Sequence, residues 1–590
     1  MLSNNRYSYH SEKAKTLQRF TQINSKKQLS SSLTSWLMTS CLKWISPPVY
    51  SKRVLKYLTF GILSTALTAI PALGAERIAF SYPPFGDFYL SRNALDEFAK
   101  QGKVTDEFRF YAKRANPQQL AQLKTLLSRR FEVSPTLVSQ FTYSPLGETV
   151  IHRLGEIFQT DSRQNGFYAL RSAMILAATD PEGLTVLNVL RRFPSRSVRL
   201  NLNRSLNIIH SSSELLKQRE AIVGAIQKEA IAESSAQSPV DFSQQPDLRQ
   251  KGAFHWQQQT LTLEDKSRHR RLSVDLYLPQ LPGKQLVPVI VISHGMAGDR
   301  TTFAYLAQYL ASHGFAVAVV EHPGISSQRF QQYFAGLASS PEPMESINQP
   351  LDVKYVLDEL QRRRASDLVL QNRLNLQQVG VIGHSHGGYA ALSLAGATIN
   401  FELLRRDCER DNFLNMSLLV QCKTAGLPPI NYPLRDERVK AIIAVNPLSS
   451  SIFGERGLSQ IQVPVMLVAG SKDVVTPAVS EQIRPFTWLT TPERYLVLIE
   501  NGTHFSVLPE STSSSRIIPV PAEMVGPDPA IARSYLCTLS VAFLQRHLAN
   551  RPDYRSYLSA SYAKFVSQPP LNLNLVQSLT TAQLDQAVKR

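Results

Sequence analysis

The chain has 590 residues, with 64 Lys+Arg against 46 Asp+Glu and a formal net charge of +18. Hydrophobic residues make up 43% and charged residues 19%, a balance that excludes a largely disordered chain and suits roughly two to four globular domains. A basic excess of this size suggests nucleic acid or an anionic membrane surface, yet half of it lies in residues 1–56, where ten Lys and Arg stand against Glu12 alone. No nucleic-acid motif accompanies the rest, so nucleic acid is not an expected partner. The mildly basic remainder leaves peripheral contact with an anionic membrane surface open.

Residues 57–75 read YLTFGILSTALTAIPALGA, carry no charge and follow Lys52, Arg53 and Lys56. A short apolar run after a positive region, broken by Pro71 and ending in small residues, has the layout of a secretory signal peptide cleaved near Ala75. An uncleaved anchor is the alternative, since about 18 apolar residues can span a bilayer. Residues 1–75 are therefore read as a basic extension with a signal peptide, and the protein as exported, periplasmic or extracellular. In an oxidising compartment Cys408 and Cys422, which enclose a short loop, are disulfide candidates; two buried thiols are the alternative. Cys537 sits in an apolar helical pattern and is expected in the core. No CxxC spacing or His/Cys cluster suggests a metal, and no cofactor is expected.

Residues 76–232 read as a small, mainly helical domain. Short strands at 77–82 and 88–90 flank the turn cluster Pro83-Pro84-Phe85-Gly86-Asp87. Ser91 is placed to cap a helix that Gly102 stops. Helical stretches follow at 118–129, 136–140, 146–158, 167–178, 183–193 and 213–232, with no constellation that suggests chemistry. Residues 233–250 are polar and Pro-containing, and read as a linker. From 251 to 550 the texture changes. Segments 261–264 and 272–278 alternate like paired strands, and buried apolar runs at 287–292, 315–320, 379–382, 439–445, 463–469 and 495–499 alternate with helices. That pattern predicts an α/β fold, a mostly parallel sheet of about eight strands with helices on both faces. The tail 551–590 is polar and helix-capable, and is expected to pack against the helical domain.

Residues 379–388 join a buried strand to an alanine-rich helix through Gly383-His384-Ser385-His386-Gly387. Such a turn holds a serine in a strained, exposed conformation, and the glycines on either side make room for backbones that would otherwise clash. Ser385 is the candidate nucleophile. A base and an acid should follow in the order Asp or Glu, then His. His504 lies in the loop after the last strand and is the candidate general base; His547, in a late helix beside Arg546, is expected at the surface. Asp473, at the carboxyl end of the preceding strand, is the candidate acid; Glu500 is closer in sequence to His504 but is expected to point elsewhere. An oxyanion hole needs two backbone N–H groups. His386 is placed to supply one, and Met296, in Ser293-His294-Gly295-Met296, the other. His294 and His384 are expected to pack behind the site.

These residues carry a family resemblance. Residues about 260–550 resemble an α/β-hydrolase of the serine-esterase branch near dienelactone hydrolases and platelet-activating-factor acetylhydrolases. The acetylhydrolase likeness rests on Val291 to Met296, Leu310 to Phe315, Val320-Glu321-His322 and Gly380 to Ser385. In those acetylhydrolases, the resemblance implies, the acid follows the sixth strand, where this chain has Asn446; the role then falls to Asp473. Residues 76 to about 220 resemble a helical domain of unknown function found ahead of such hydrolases in exported bacterial proteins. Between elbow helix and sixth strand, residues 398–438 are read as a cap insertion. Its Leu403, Leu404, Phe413, Leu414, Met416, Leu418 and Leu419 either line an acyl site or form the cap's own core.

The combined reading is an exported serine hydrolase acting on small-molecule or lipid esters through Ser385, His504 and Asp473. Two alternatives stay open: a serine peptidase on the same fold, and a non-catalytic binding protein on a hydrolase scaffold.

Overall fold

A computed structural model describes residues 74–283, 286–364, 366–367, 370, 373–409, 415–509 and 522–589. The basic extension and the apolar run of the expected signal peptide lie outside the described residues up to 73, as do Phe413 and Leu414 of the cap.

Strands β1 (Arg77–Ser81) and β2 (Asp87–Ser91) form a hairpin over the proline-containing turn. Short helices follow, and their starts are written in the sequence. Ser91, Thr105, Asn116, Ser134, Ser144 and Thr185 each accept a hydrogen bond from a first-turn N–H, and Pro117, Pro135 and Pro145 open their helices. Strands β3 (Phe158–Gln159) and β4 (Ser197–Leu200) complete a four-stranded sheet of order β2-β1-β4-β3, with β4 parallel to β1. The sequence suggested a hairpin alone. β4 reads SVRL, and its Arg199 is buried against Asp87 (3.1 Å), so a charge interrupts the apolar run that would have marked a strand. Phe98, Phe108, Ile151, Phe193 and Val198 form this domain's core.

The helix Leu202–Ala236 spans 35 residues and leaves that domain for the next one, where Ile222, Ile226 and Ala230 enter the core. The expected linker is packed rather than free. Phe242 and Leu248 are buried in the second domain, and the Phe242 ring lies 5.0 Å from that of Tyr562. Two apolar residues in a polar stretch suffice to dock it, a signal that average composition hides.

The second domain is built on a nine-stranded sheet. Its strands are β5 (Trp256–Asp265), β6 (Arg270–Pro279), β7 (Val287–Ser293), β8 (Ala316–Glu321), β9 (Leu374–His384), β10 (Val439–Val445), β11 (Val465–Gly470), β12 (Arg494–Ile499) and β13 (Leu573–Val576). Their order is β13-β12-β11-β10-β9-β7-β8-β6-β5. β8 through β12 and β7 run parallel; β5, β6 and β13 are antiparallel to their neighbours. Alternate residues feed two apolar layers. Along β10, Ile442 and Ala444 join the core that holds the helices Glu345–Arg363 and His386–Leu394, whereas Ala441, Ile443 and Val445 join the core under the helix Pro529–His547. This is the α/β-hydrolase fold.

The ninth strand comes from the tail. β13 pairs with β12, and Glu233 at the end of the long helix accepts hydrogen bonds from the backbone N–H groups of Gln577 (2.8 Å) and Ser578 (2.9 Å). The tail thus packs on that helix and also closes the sheet edge. The topology fixes where a ligand can enter. β8 lies on one side of β7 and β9 on the other, so the chain reverses direction across the sheet at β7, and a ligand site is expected outside the carboxyl ends of β7 and β9.

Candidate active site

At the carboxyl end of β9 the backbone turns abruptly into the helix His386–Leu394. Ser385, at the turn, has φ 57° and ψ −118°, a left-handed conformation that costs a non-glycine residue about 1–3 kcal/mol. The surroundings enforce it. The Ser385 N–H donates to the Val445 carbonyl (2.9 Å), tying the turn to β10. A Cβ on Gly387 would stand 2.0 Å from the Ser293 carbonyl oxygen, and one on Gly383 would stand 1.9 Å from that of Gly387. Only glycine permits this approach of elbow, helix and β7.

His504 and Asp473 arrive from the ends of β12 and β11. Those loops are joined by backbone hydrogen bonds from Ser471 N–H to Ile499 (3.0 Å) and from Lys472 N–H to Gly502 (2.8 Å). His504 Nε2 lies 3.0 Å from Ser385 Oγ, and His504 Nδ1 lies 2.8 Å from Asp473 Oδ2. Asp473 is held on both oxygens. Oδ1 accepts from the backbone N–H of Val475 and of Thr476 (2.8 Å each), and Oδ2 accepts from the Thr476 hydroxyl (2.8 Å) as well as from His504. An aspartate so supplied accepts from Nδ1–H, which leaves Nε2 as an acceptor facing the serine hydroxyl.

The structure therefore brings Ser385, His504 and Asp473 into one hydrogen-bonded row, all three nearly buried. Glu500 is turned away: it accepts from Gln227, Asn572 and Asn574, on the long helix and the tail. Asn446, left-handed at φ 44°, spans the two loops, accepting from Gly470 N–H (3.1 Å) and donating to the Thr503 carbonyl (3.4 Å). His547 departs from the expected surface position. Its side chain is 5% exposed, packs on Tyr495 and Phe543, and Nε2 lies 3.1 Å from the Tyr495 hydroxyl; burial lowers its pKa to about 4.

The loop after β7 borders Ser385, with Gly295 against its Cβ. Met296 follows Gly295 in this loop, and Ala297 is held at φ 60° with its N–H on the Ile325 carbonyl (2.9 Å). On the other side, the first bond of the elbow helix runs from Tyr389 N–H to the Ser385 carbonyl (3.1 Å), so the His386 N–H precedes the helical ladder.

Behind these two segments lies a polar network that no local motif announces. Gln349, fully buried in the helix Glu345–Arg363, donates to the His294 carbonyl (2.8 Å) and to Ser293 Oγ (2.9 Å), and its Oε1 accepts from His386 Nδ1. One side chain thus joins the loop of Met296 to the residue after Ser385. Ser293 Oγ contacts His322 Nε2 (2.9 Å), and His322 Nδ1 contacts Asp352 Oδ2 (3.1 Å). Asp352 in turn receives Arg268 and Arg270, and Arg270 also forks onto Glu345. Ser293, His322 and Asp352 are 0% exposed, which rules out this second Ser-His-Asp row as a substrate site. His294 accepts the His322 N–H at Nε2 (3.0 Å), and His384 Nε2 donates to the His504 carbonyl (3.0 Å). Burial holds the imidazoles of His294, His384 and His386 down at about 3, so all three are neutral supports.

Over the sheet's carboxyl edge, the cap insertion forms the helices Phe401–Glu409 and Met416–Thr424, joined by a Cys408–Cys422 disulfide with S–S 2.05 Å. Leu404 is part of the domain's main core, Leu418 and Leu419 are buried, and Met416 is exposed. The buried Glu481 anchors the cap by accepting from Gln421 Nε2 (3.1 Å) while also receiving the Ser449 and Ser450 N–H groups. Among the described residues no group of three His, Cys, Asp or Glu side chains is arranged to hold a metal ion.

Comparison with known proteins agrees with this architecture. Residues 74–201 match the family described as alpha/beta hydrolase of unknown function (DUF1400), and residues 276–364 match platelet-activating factor acetylhydrolase, isoform II. The chain is similar to platelet-activating factor acetylhydrolase of Canis lupus familiaris, 25% identical over 311 residues, covering 50% of this chain and 65% of the relative. The Bos taurus protein of that name is 24% identical over 275 residues (45% and 58%), and that of Gallus gallus 21% over 292 residues (46% and 64%). The chain thus spans about three-fifths of the length of these curated relatives. Fold and comparisons together place it in the α/β-hydrolase superfamily.

Proposed function

We propose that the protein is an exported serine hydrolase that cleaves carboxylic esters, lipid esters among them, through an acyl-enzyme. The observation that carries this reading is the continuous row Asp473–His504–Ser385; the backbone N–H groups of Met296 and His386 are our candidates for the oxyanion donors. His504 Nε2 takes the Ser385 proton as Oγ attacks the ester carbonyl; the carbonyl oxygen gathers charge facing the two N–H groups. The tetrahedral adduct collapses, the ester C–O bond breaks, and His504 returns the proton to the departing alcohol. Water then attacks the acyl-Ser385 ester by the same steps, releasing the acid and restoring the serine. The names of the acetylhydrolase relatives support an acyl ester of a lipid as substrate, and the basic surplus is in keeping with a substrate held at an anionic lipid surface. Export is supported by the Cys408–Cys422 bridge, because disulfides persist in oxidising compartments.

Purified protein should hydrolyse short-chain aryl esters and take up a fluorophosphonate at Ser385. If Ser385→Ala is as active and as well labelled as the wild type, the proposal is wrong. Parallel assays on peptide amides decide between ester and amide preference.

A further inference from the structure

The helix Ser327–Phe334 follows β8, and its two ends are held by different domains. At its start the Ser327 N–H donates to the Gly298 carbonyl (2.7 Å), the Ser327 hydroxyl donates to Asp299 Oδ2 (2.9 Å), and the Ile325 carbonyl accepts from the Ala297 N–H (2.9 Å). Gly298 and Ser326 also pair as an isolated parallel bridge. All of these bonds fall on residues 297–299, the segment directly after Met296. At the far end the buried Tyr333 donates its hydroxyl to the Gln140 carbonyl (2.9 Å), on the helix Pro135–Thr142 of the first domain. Gly336, just past the helix, lies against the same residue: a Cβ there would stand 3.0 Å from Gln140 Nε2. Of the helices and strands, Pro135–Thr142 is the one that Ser327–Phe334 packs against most.

The loop held in this way is strained. Ala297 has φ 60°, a left-handed conformation that its Cβ disfavours and that persists only where the surroundings impose it. Those surroundings are the Ile325 carbonyl and the Gly298–Ser326 bridge, at the entry of the helix whose far end rests on the first domain. Eight helical residues span about 12 Å and move as a unit, so a shift at Tyr333 is carried to Ser327 and to the turn at Ala297. Met296 precedes that turn, and Gly295 lies against the Ser385 Cβ.

From this line of contacts we infer that the first domain braces the loop that carries Met296, with Tyr333 as a positioning residue that acts on the oxyanion donor through the helix Ser327–Phe334. The inference rests on the esterase reading above, with Met296 as one of its two donors. It gives the first domain, which supplies none of Ser385, His504 and Asp473, a part in the rate of the reaction.

The test uses the full chain, with active sites counted by fluorophosphonate titration. Tyr333→Phe removes only the hydroxyl and should lower kcat about threefold, the scale of one neutral hydrogen bond. Tyr333→Ala also empties the contact between the domains and should lower kcat about tenfold or more, short of the roughly 10²–10³-fold that loss of a whole oxyanion donor costs. KM should stay within about twofold in both. Affinity for a trifluoromethyl ketone, whose adduct with Ser385 carries an oxyanion, should fall by the same factor as kcat, while affinity for the matching methyl ketone stays unchanged. Ser327→Ala loosens the same helix at its other end, so its effect and that of Tyr333→Phe should combine to less than their product. Folded Tyr333→Ala with kcat within about twofold of the wild type, equal weakening of both ketones, a change confined to KM, or strictly multiplicative effects of Tyr333→Phe and Ser327→Ala each overturns the inference. Should Tyr333→Ala fail to fold, an unchanged kcat in Tyr333→Phe does the same. A wild type that hydrolyses no ester and takes up no fluorophosphonate overturns the esterase reading itself, and the inference with it.

Discussion

Replacing Asp473 by Asn tests the proposed row with almost no change in shape, and the structure determines how the new amide must sit. Asp473 Oδ1 accepts two backbone N–H groups, from Val475 and Thr476, at 2.8 Å each. The amide oxygen of Asn has to stay there. Turning the NH2 group toward those donors would leave both N–H groups buried without acceptors, at about 1–3 kcal/mol each, so the flip is disfavoured by roughly 2–6 kcal/mol. The NH2 group then faces His504 Nδ1 and donates to it. With Nδ1 made an acceptor, the ring proton moves to Nε2 and points at Ser385 Oγ, 3.0 Å away. The base can no longer accept the serine proton, and kcat should fall by about 10⁴-fold. The assay is ester hydrolysis under saturating substrate, with a melting curve to show that the variant is folded. If folded Asp473→Asn keeps more than a tenth of wild-type kcat, the assignment of Asp473 as the orienting acid is refuted.

Three further outcomes are expected. Gln349→Leu leaves the His294 carbonyl and His386 Nδ1 without their buried partner; it should destabilise the fold by roughly 2–6 kcal/mol and lower kcat by about 10²-fold through misplaced oxyanion donors, whereas a loss in KM alone would contradict the positioning role. His294, His384 and His386 stay neutral down to about 3, while in the unfolded chain they take up protons below about 6.5. The unfolded state then binds more protons between those values, so stability should fall as pH drops through that window, by up to ~1.4 kcal/mol per pH unit for each histidine; a urea midpoint at pH 5.0 equal to or above that at pH 7.5 would contradict this. Cys537 is buried with its thiol pushed up to about 12, and Cys408 and Cys422 are joined. Native, unreduced protein should therefore resist iodoacetamide at all three, and mass mapping that finds any of them modified would count against the described core and cap.

What the sequence disclosed and what it concealed follow from the range of the signals. The strand runs of the second domain were legible because both faces of its sheet are buried, so each strand reads as a continuous apolar segment. The elbow was legible because steric crowding at Gly383 and Gly387 leaves a local pattern in five consecutive residues. β13 was not legible: LNLV is short, and it becomes a strand only because β12 offers an open edge and Glu233 receives the turn that follows. His547 was misplaced for a similar reason, since its burial depends on Tyr495, 52 residues away in sequence. Gln349 and Asp352 stand on an ordinary helix pattern; their hydrogen-bond partners lie on β6 and β7, in the turn before β6, just after β7 and β8, and at the elbow, and no spacing reveals them. Thr476 alone among the supporting residues left a trace, as the hydroxyl three residues after Asp473 in a turn that Pro477 closes.

Asn446 shows how the acid's position and the local fold depend on each other. The resemblance to acetylhydrolases implies a carboxylate after the sixth strand, the place this asparagine occupies. Its side chain here uses both halves of the amide: the oxygen accepts from Gly470 N–H, and the nitrogen donates to the Thr503 carbonyl. Its own carbonyl lies 3.1 Å from the Thr476 hydroxyl, whose single proton is directed to Asp473 Oδ2 at 2.8 Å. An aspartate at 446 has no N–H to give to Thr503 and would add a second buried negative charge to the loops that hold Asp473. With Asp473 on the loop after β11 as the proposed acid, the position after β10 is suited to a neutral residue that both donates and accepts, and asparagine, which also tolerates the left-handed backbone there, meets each requirement.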